Sequence, residues 1–163
     1  MLENYSGATR LFPVVGDPIA QVKSPYGVTA AFEAKGADAI CVPMQVAPAD
    51  WRDFMSLMGR MKNVDGVIVT VPHKFSAFDA CATASPRARF LRSVNTMRRN
   101  ADGTFHGDMF DGLGFVAACK DNGCVFDGKR ALLVGAGGAG TAIAHAVADS
   151  GVATLAIADL DVA

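Results

Sequence analysis

The 163-residue sequence predicts an α/β fold in two parts, a mostly parallel sheet with helices followed by a second α/β unit. Two observations predict it. Short β-forming runs alternate with segments of helical spacing, which is typical of parallel strands joined by helices. Near the end of the chain, a glycine-rich stretch at residues 135–140 separates a strand pattern from a helix pattern. We place the boundary at residues 127–129, so that 1–127 form the first domain and 128–163 the second.

The elements follow in order along the chain. Strand patterns cover residues 11–16, 39–46 and 66–71, and helical spacing covers 25–35, 48–61 and 75–82. The third strand is almost continuously apolar, which indicates burial on both faces. Residues 93–97 precede a turn at 100–103 and are typical of one arm of a hairpin. Helical spacing returns at 112–120, and strands at 130–134 and 153–158 enclose a helix at 141–148.

Composition narrows the class of partner. The chain is 51% hydrophobic, and its net charge of -1 comes with scattered Lys and Arg, which disfavours nucleic acid and membrane surfaces. No apolar run approaches the roughly 20 residues of a membrane span, and the N-terminus does not resemble a secretion signal. We therefore expect a cytoplasmic protein that binds small molecules, as a monomer or a homodimer.

The cysteines and histidines do not indicate a metal site. Neither set has the spacing of metal ligands, so no metal is expected. We expect the cysteines to be reduced and mostly buried. The methionines of the second helix, with Trp51 and Phe54, are predicted to pack in the core. His73 either lines a cleft or lies at the surface, and the sequence leaves both open.

The glycine-rich stretch has the GxGxxG spacing of a dinucleotide-binding loop. Gly135 would permit a tight turn, Gly137 would let the backbone approach a pyrophosphate, and Gly140 would allow close packing of helix on strand. The intervening loop residues are Ala136, Gly138 and Ala139. A strand before the loop and a helix after it favour cofactor binding over a plain tight turn.

Asp159 follows the second strand of this unit, about 20 residues beyond the loop, where a carboxylate can bind the adenosine ribose. A carboxylate at that position repels a 2′-phosphate. The sequence therefore predicts NAD in preference to NADP. The alternative is a solvated strand end with no such role.

Several motifs resemble, in order and spacing, those of the shikimate dehydrogenase family. Residues 16–25 resemble its G-x-P-I-x-x-S-x-S-P opening, and residues 69–74 resemble the V-T-V-P-x-K part of its N-V-T-V-P-x-K segment. Residues 93–96 are similar to its A-V-N-T, and 107–112 to its G-x-N-T-D-G. The resemblance covers about residues 11–163. It implies an oxidoreductase that uses NAD(P) to oxidise a ring hydroxyl of shikimate, quinate or a related cyclic hydroxy acid.

The resemblance implies roles for particular residues. Lys74 and Asp111 take the catalytic positions, and Ser24, Thr70 and Asn95 take positions that hydrogen-bond the substrate. The chemistry agrees, because oxidising a secondary alcohol needs a base for the hydroxyl proton while hydride leaves for nicotinamide. Outside the family context, Lys74 would pass for a solvated residue at a helix start and Asp111 for a helix N-cap.

Three positions depart from the family pattern in the same direction. Val22, Ile68 and Phe110 stand where the family has Ser, Asn and Thr. A hydrogen bond to a charged group contributes about 1.5–3 kcal/mol, so losing one weakens shikimate binding roughly tenfold to a hundredfold. We therefore expect a divergent member whose substrate is less hydroxylated or differently substituted.

Length is a further departure, because a Rossmann domain needs several more strands, and the family continues for about another hundred residues. We expect a fragment with weak or no activity of its own. Two rival interpretations stay open. One is a non-catalytic small-molecule sensor that uses the same cleft. The other is a different NAD enzyme, such as a methylene-tetrahydrofolate dehydrogenase, which the motifs at 69–74 and 107–112 disfavour.

Overall fold

The structure, a computed structural model, describes residues 5–160. It divides into two compact units, the first ending at Asp108 and the second beginning at Met109. The sequence places the domain boundary later, at 127–129. The difference is one helix, residues 111–121, which belongs to the second unit in the structure. The position at which a cofactor domain begins stays a prediction.

Strands and helices alternate through most of the first unit, as the sequence predicts. Strands β1 (Arg10–Gly16), β2 (Ala39–Gln45) and β3 (Gly66–Val69) alternate with helices α1 (Ser24–Ala34), α2 (Trp51–Arg60) and α3 (Lys74–Asp79). Pro25 lies in the first turn of α1, where a missing N–H is harmless. Residues 48–50, predicted as part of α2, form a separate 3₁₀ turn.

The end of the first unit contains elements that the sequence pattern does not predict. These are the short strand β4 (Thr83–Ala84) and helix α4 (Pro86–Leu91), which precede β5 (Thr96–Arg99) and β6 (Phe105–Asp108). The Ser85 hydroxyl caps α4 by accepting a hydrogen bond from the Ala88 N–H at 3.2 Å. The predicted hairpin is present as β5–β6, although β5 begins at Thr96 rather than at residue 93.

The six strands form one sheet in the order β2-β1-β3-β5-β6-β4. Strand β1 is parallel to β2 and β3, and β4 is parallel to β6. Strand β5 is antiparallel to both of its neighbours. The predicted fold class is confirmed, with one reversed strand in the sheet.

The core of this unit combines the central strands with helix α2. Apolar side chains at most 2% exposed include Val14, Val15, Val64, Val67, Val69, Val94 and Met97. From α2, Trp51, Met55 and Met58 are buried, as the sequence predicts. Phe54 and Met61 are partly buried.

The second unit is a parallel βαβ segment preceded by a helix. Its elements are α5 (Asp111–Asp121), β7 (Arg130–Val134), α6 (Gly138–Ala148) and β8 (Thr154–Ala158), and β7 pairs in parallel with β8. Helix α5 packs on α6 at Gly112, where a Cβ would overlap the backbone carbonyl of Ala142. The small core consists of Val116, Ala146 and Val147, with partly buried neighbours that include Phe126 and Leu155.

The cysteines do not all behave as predicted. Each is a free thiol, but only Cys41 is buried, Cys81 and Cys119 are intermediate, and Cys124 is exposed. The expectation that they are mostly buried is therefore wrong. Cys124 is exposed because it follows the end of α5 instead of lying in a core strand. In residues 5–160, no helix combines the length and apolar character that a membrane crossing requires.

Candidate functional site

One edge of the first unit's sheet collects the predicted substrate residues. The carboxyl ends of the parallel strands β1 and β3 lie at this edge, and the antiparallel strand β5 begins there, because Ile68 pairs with Thr96. Thr70 and Lys74 follow β3, Asn95 precedes β5, and Ser24 follows the loop after β1. Loops at the carboxyl ends of parallel strands are the usual place for ligands in open α/β sheets.

Lys74 is the first residue of α3 and is only 9% exposed. Its backbone carbonyl accepts a hydrogen bond from the Val94 N–H at 3.0 Å. This bond ties the start of α3 to the segment that carries Asn95. The preceding His73 N–H donates to the Thr70 carbonyl at 3.0 Å, so the backbone at Lys74 is held to both segments.

Thr70 and Asn95 are held by bonds to neighbouring strands. The Thr70 N–H donates to the Val15 carbonyl at 2.9 Å, and the Val69 N–H donates to the Asn95 carbonyl at 2.7 Å. The Thr96 hydroxyl donates to Asn95 Oδ1 at 3.0 Å, which orients the amide. The structure therefore brings Thr70, Lys74 and Asn95 onto one hydrogen-bonded frame.

His73, immediately before Lys74, is neither a cleft-lining nor a surface residue by exposure, since only 1% of it is accessible. Its ring stacks on Trp51 at a centroid distance of 4.7 Å. His73 Nε2 lies 2.7 Å from the Val46 carbonyl, and because a carbonyl only accepts, Nε2 carries the hydrogen. Both alternatives are therefore wrong: His73 lies in the core and anchors the start of α3. The sequence signal that could have indicated this is the core aromatic Trp51.

The loop after β1 carries Val22 and Ser24. The Asp17 N–H donates to the Val71 carbonyl at 2.9 Å, which joins this loop to the one that follows β3. The Val22 N–H donates to the Ile19 carbonyl at 3.1 Å. Ser24 opens α1 and is partly buried, as is Val22. Both residues therefore belong to the loop layer at this sheet edge.

The Asp108 carboxylate, at the end of β6, is held by hydrogen bonds within the first unit. Asp108 accepts hydrogen bonds from the Ser85 hydroxyl and from Arg87 Nη2, the latter at 2.6 Å. The Asp108 carbonyl also accepts from the Asn95 N–H at 3.0 Å. This network fixes the ends of β5 and β6 next to each other.

Two other positions at which an apolar residue departs from the family pattern, Ile68 and Phe110, lie in different units. Ile68 is a partly buried residue of β3. Phe110, 44% exposed, is the N-cap residue of α5 in the second unit. Met109 occupies the Asn position of the G-x-N-T-D-G motif, a departure that the sequence reasoning missed, and it is 1% exposed.

Asp111 is the first residue of α5, three residues after strand β6 ends. It is partly buried. Lys74 and Asp111 belong to different compact units. Their joint catalytic role stays a prediction.

The glycine-rich loop of the second unit has the backbone that its spacing predicts. Gly135 has a φ of +96°, which side-chain-bearing residues rarely adopt. A Cβ at Gly140 would overlap the Gly135 carbonyl, whereas one at Gly137 would meet nothing within 4 Å. The loop is therefore tight on its inner side and open at Gly137, beside the N-terminus of α6.

Asp159 follows β8 directly and is exposed. Its carboxylate accepts a hydrogen bond from the Ala136 N–H of the glycine loop. The Gly135 N–H donates to the Ala158 carbonyl at 2.8 Å. The loop and the end of β8 are thus adjacent. Across residues 5–160, no cluster of three or more His, Cys, Asp or Glu side chains is arranged to hold a metal ion.

These features define a class of α/β proteins in which a mixed sheet with a polar edge precedes a dinucleotide-type βαβ loop. Residues 14–97 match the family model of the shikimate dehydrogenase substrate binding domain. The chain therefore belongs to the shikimate dehydrogenase family, and the resemblance seen in its motifs is confirmed.

Named relatives agree with this assignment. The chain is 38% identical over 161 residues to a shikimate dehydrogenase (NADP(+)) from Geobacter metallireducens, covering 98% of this chain and 56% of the relative. It is 40% identical over 151 residues to one from Anaeromyxobacter dehalogenans, covering 90% of this chain and 51% of that protein. The chain thus spans about half the length of these curated relatives.

Solved structures show the same fold. Shikimate 5-dehydrogenase from Listeria monocytogenes, solved with shikimate and NAD, has a TM-score of 0.85 and 31% identity over 97% of this chain and 54% of its own. A 5-ketofructose reductase from Gluconobacter sp. has a TM-score of 0.80 and 28% identity over 93% of this chain and 54% of its own. Proteins with this fold are therefore named for different substrates.

Proposed function

We propose that this chain provides the substrate-binding half and the first cofactor-binding elements of an NAD-dependent oxidoreductase. Its substrate is shikimate, quinate or a related cyclic hydroxy acid, oxidised at a ring hydroxyl. The observation that supports this most is the frame at the sheet edge, where Lys74, Thr70 and Asn95 are fixed by bonds between loops and strands. Such a frame orients several hydrogen-bonding groups toward one small ligand.

In this proposal Lys74 accepts the proton of the reacting hydroxyl, and Asp111 orients the lysine and binds the neighbouring hydroxyl. Ser24, Thr70 and Asn95 hold the remaining polar groups of the substrate. A bound nicotinamide dinucleotide would supply the hydride acceptor. The low exposure of Lys74 supports its part, because a side chain packed among its neighbours is held in one position for a bound substrate.

The glycine loop fits a dinucleotide. Open space at Gly137 leaves room for a pyrophosphate beside the N-terminus of α6, where the first N–H groups lack intrahelical acceptors. Asp159 supports NAD, because its carboxylate lies against the same loop and would repel a 2′-phosphate. The curated relatives above are named for NADP(+), so this preference distinguishes the chain from them.

The proposal is tested with a chimera in which residues 1–163 are joined to the remaining part of the Geobacter relative. We expect NADH formation with a cyclic hydroxy acid and slower turnover with NADP. Lys74→Met should lower kcat at least a hundredfold, whereas Lys35→Met, the same change at an exposed position, should leave it unchanged. Full activity in Lys74→Met contradicts the proposed base, and a higher kcat/KM with NADP contradicts the role of Asp159.

The substrate class is tested in the same chimera. The half-buried Val22 and Ile68 support a substrate with fewer hydrogen-bonding groups than shikimate. The double change Val22→Ser, Ile68→Asn should therefore lower the KM for shikimate roughly tenfold to a hundredfold. An unchanged KM contradicts this account.

A second candidate function is a small-molecule sensor without turnover, which the apolar positions 22, 68 and 110 favour. Calorimetry, combined with an assay of cofactor reduction, distinguishes the sensor from the enzyme. A sensor binds a cyclic acid tightly in the chimera while no reduced cofactor forms with any acid tested.

A further inference from the structure

The C-terminal end of helix α5 closes in a Schellman motif. The Gly123 N–H donates to the Lys120 carbonyl at 2.9 Å, and the Cys124 N–H donates to the Cys119 carbonyl at 2.9 Å. Gly123 has a φ of +82°, the left-handed conformation that this motif requires. The chain therefore folds back so that residue 124 lies against residue 119.

The two positions that meet in a Schellman motif normally carry apolar side chains in contact. Here both carry thiols, on Cys119 and Cys124. Cys119 is partly buried and Cys124 is exposed. Burial raises the pKa of the Cys119 thiol, and the neighbouring Cys124 thiol raises that pKa further. The backbone bond brings the two residues together, and the effect of Cys124 on the Cys119 pKa is a consequence of that proximity.

We propose that Cys119 and Cys124 form a reversible disulfide, a redox modification site that closes the end of helix α5. The site lies wholly within the second unit. It does not depend on the proposed function, because neither thiol is among the substrate or cofactor residues.

The reaction balances with a small disulfide such as oxidised glutathione as the oxidant. The accessible Cys124 thiolate attacks one sulfur of that disulfide, a mixed disulfide forms, and one glutathione thiolate leaves. The Cys119 thiolate then attacks the Cys124 sulfur, and the second glutathione leaves. Two protein thiols are oxidised and one glutathione disulfide is reduced to two glutathione molecules. Excess reduced glutathione reverses both steps.

The other two cysteines provide an internal comparison. Burial raises the pKa of both Cys41 and Cys81 to about 11, so few thiolates form there at neutral pH. The Cys81 thiol also donates to the Ala77 carbonyl at 3.1 Å. Neither cysteine is exposed as Cys124 is, the thiol that makes the first attack, so residues 41 and 81 should stay reduced where 119 and 124 are oxidised.

The experiment equilibrates the full chain with glutathione redox buffers, quenches it with acid and digests it with trypsin. Lys120 lies between the two cysteines, so cleavage there separates them into two peptides unless a disulfide joins them. We expect joined peptides in oxidising buffer, separate peptides after reduction, and unmodified Cys41 and Cys81. A stable glutathione adduct on Cys124 with Cys119 free, or no reaction at either thiol, overturns the proposal.

Two variants test whether the Schellman backbone geometry, and not only the exposure of Cys124, leads to the disulfide. Cys119→Ser should keep a glutathione adduct on Cys124, because no second thiol resolves it. Gly123→Ala disfavours the left-handed backbone and should lower the equilibrium fraction of intramolecular disulfide relative to adduct, by roughly fivefold to tenfold. Cys81→Ser is the control and should behave as the parent. If Gly123→Ala leaves that ratio unchanged, the Schellman geometry is not what pairs the thiols.

Discussion

The two units of the chain differ in how completely their sheets are covered. In the first unit, a six-stranded sheet carries strand valines with almost no exposure, among them Val67 at 1%. In the second, β7 alternates between exposed and partly buried residues, β8 is exposed except at the partly buried Leu155, and Val134 is 77% exposed. The same residue type thus contributes to a core in one unit and lies in solvent in the other.

The difference teaches where folding stability resides. Buried apolar area is the main stabilising contribution, and a small unit buries a smaller fraction of its surface. The second unit depends on few contacts, chiefly those between α5 and α6 and between β7 and β8. We therefore expect the first unit to remain folded under conditions that open the second.

The largest expected effect concerns the contact between α5 and α6. Gly112→Ala places a methyl group on the Ala142 backbone and should destabilise the second unit by about 3 kcal/mol. Gly114→Ala, in the same helix, meets nothing within 4 Å and should be neutral or slightly stabilising. Hydrogen exchange resolved by peptide measures both. Loss of protection in β1–β3 equal to that in α6 would show that the two units do not unfold separately.

A matched pair of valines provides a smaller effect. Val67→Ala removes buried methyl groups from β3 and should lower the free energy of unfolding by about 2 kcal/mol. Val134→Ala, at an exposed position of β7, should change it by less than about 0.5 kcal/mol. Urea unfolding monitored by circular dichroism gives both values. Equal decreases in the free energy of unfolding would contradict the difference in burial between β3 and β7.

The smallest effect is a dependence on alkaline pH in the first unit. Burial raises the pKa of Cys41 and Cys81 from 9.0 to about 11, so the folded state keeps thiol protons that the unfolded chain releases. Stability should therefore fall as pH rises from about 9 to 11, by on the order of 1 kcal/mol per thiol. Thermal melts of the parent and a Cys41→Ala, Cys81→Ala variant measure it. Identical pH profiles would contradict the raised pKa of Cys41 and Cys81 as the cause of the pH dependence.

Much of the fold could be predicted from the sequence because local pattern and tertiary context agree. The strand predicted at 66–71 forms as β3, which ends at Val69, and the helix predicted at 141–148 forms as α6, which begins earlier, at Gly138. Strand β4 could not be predicted because it is only two residues long and exists through its pairing with β6, more than 20 positions away. Helix α4 has a local start signal, the Ser85 cap followed by Pro86, but its six residues are too few to show a helical period.

The sequence predicts which residues form the candidate site better than it predicts the contacts that hold them in place. The family motifs indicated Lys74, Thr70 and Asn95, and the structure places them on one frame. No local pattern indicated that the Lys74 carbonyl bonds to Val94, or that His73 is buried against Trp51. Such contacts join residues more than 15 positions apart, so they become visible only once the sheet order is known.

The stacking of His73 on Trp51 has a practical consequence. Trp51 is the single tryptophan of the chain, and it lies against the residue that precedes Lys74. Intrinsic fluorescence excited at the indole therefore reports on one place, the start of α3. A ligand that moves this helix changes the emission directly, so the molecule carries its own optical probe and needs no attached dye.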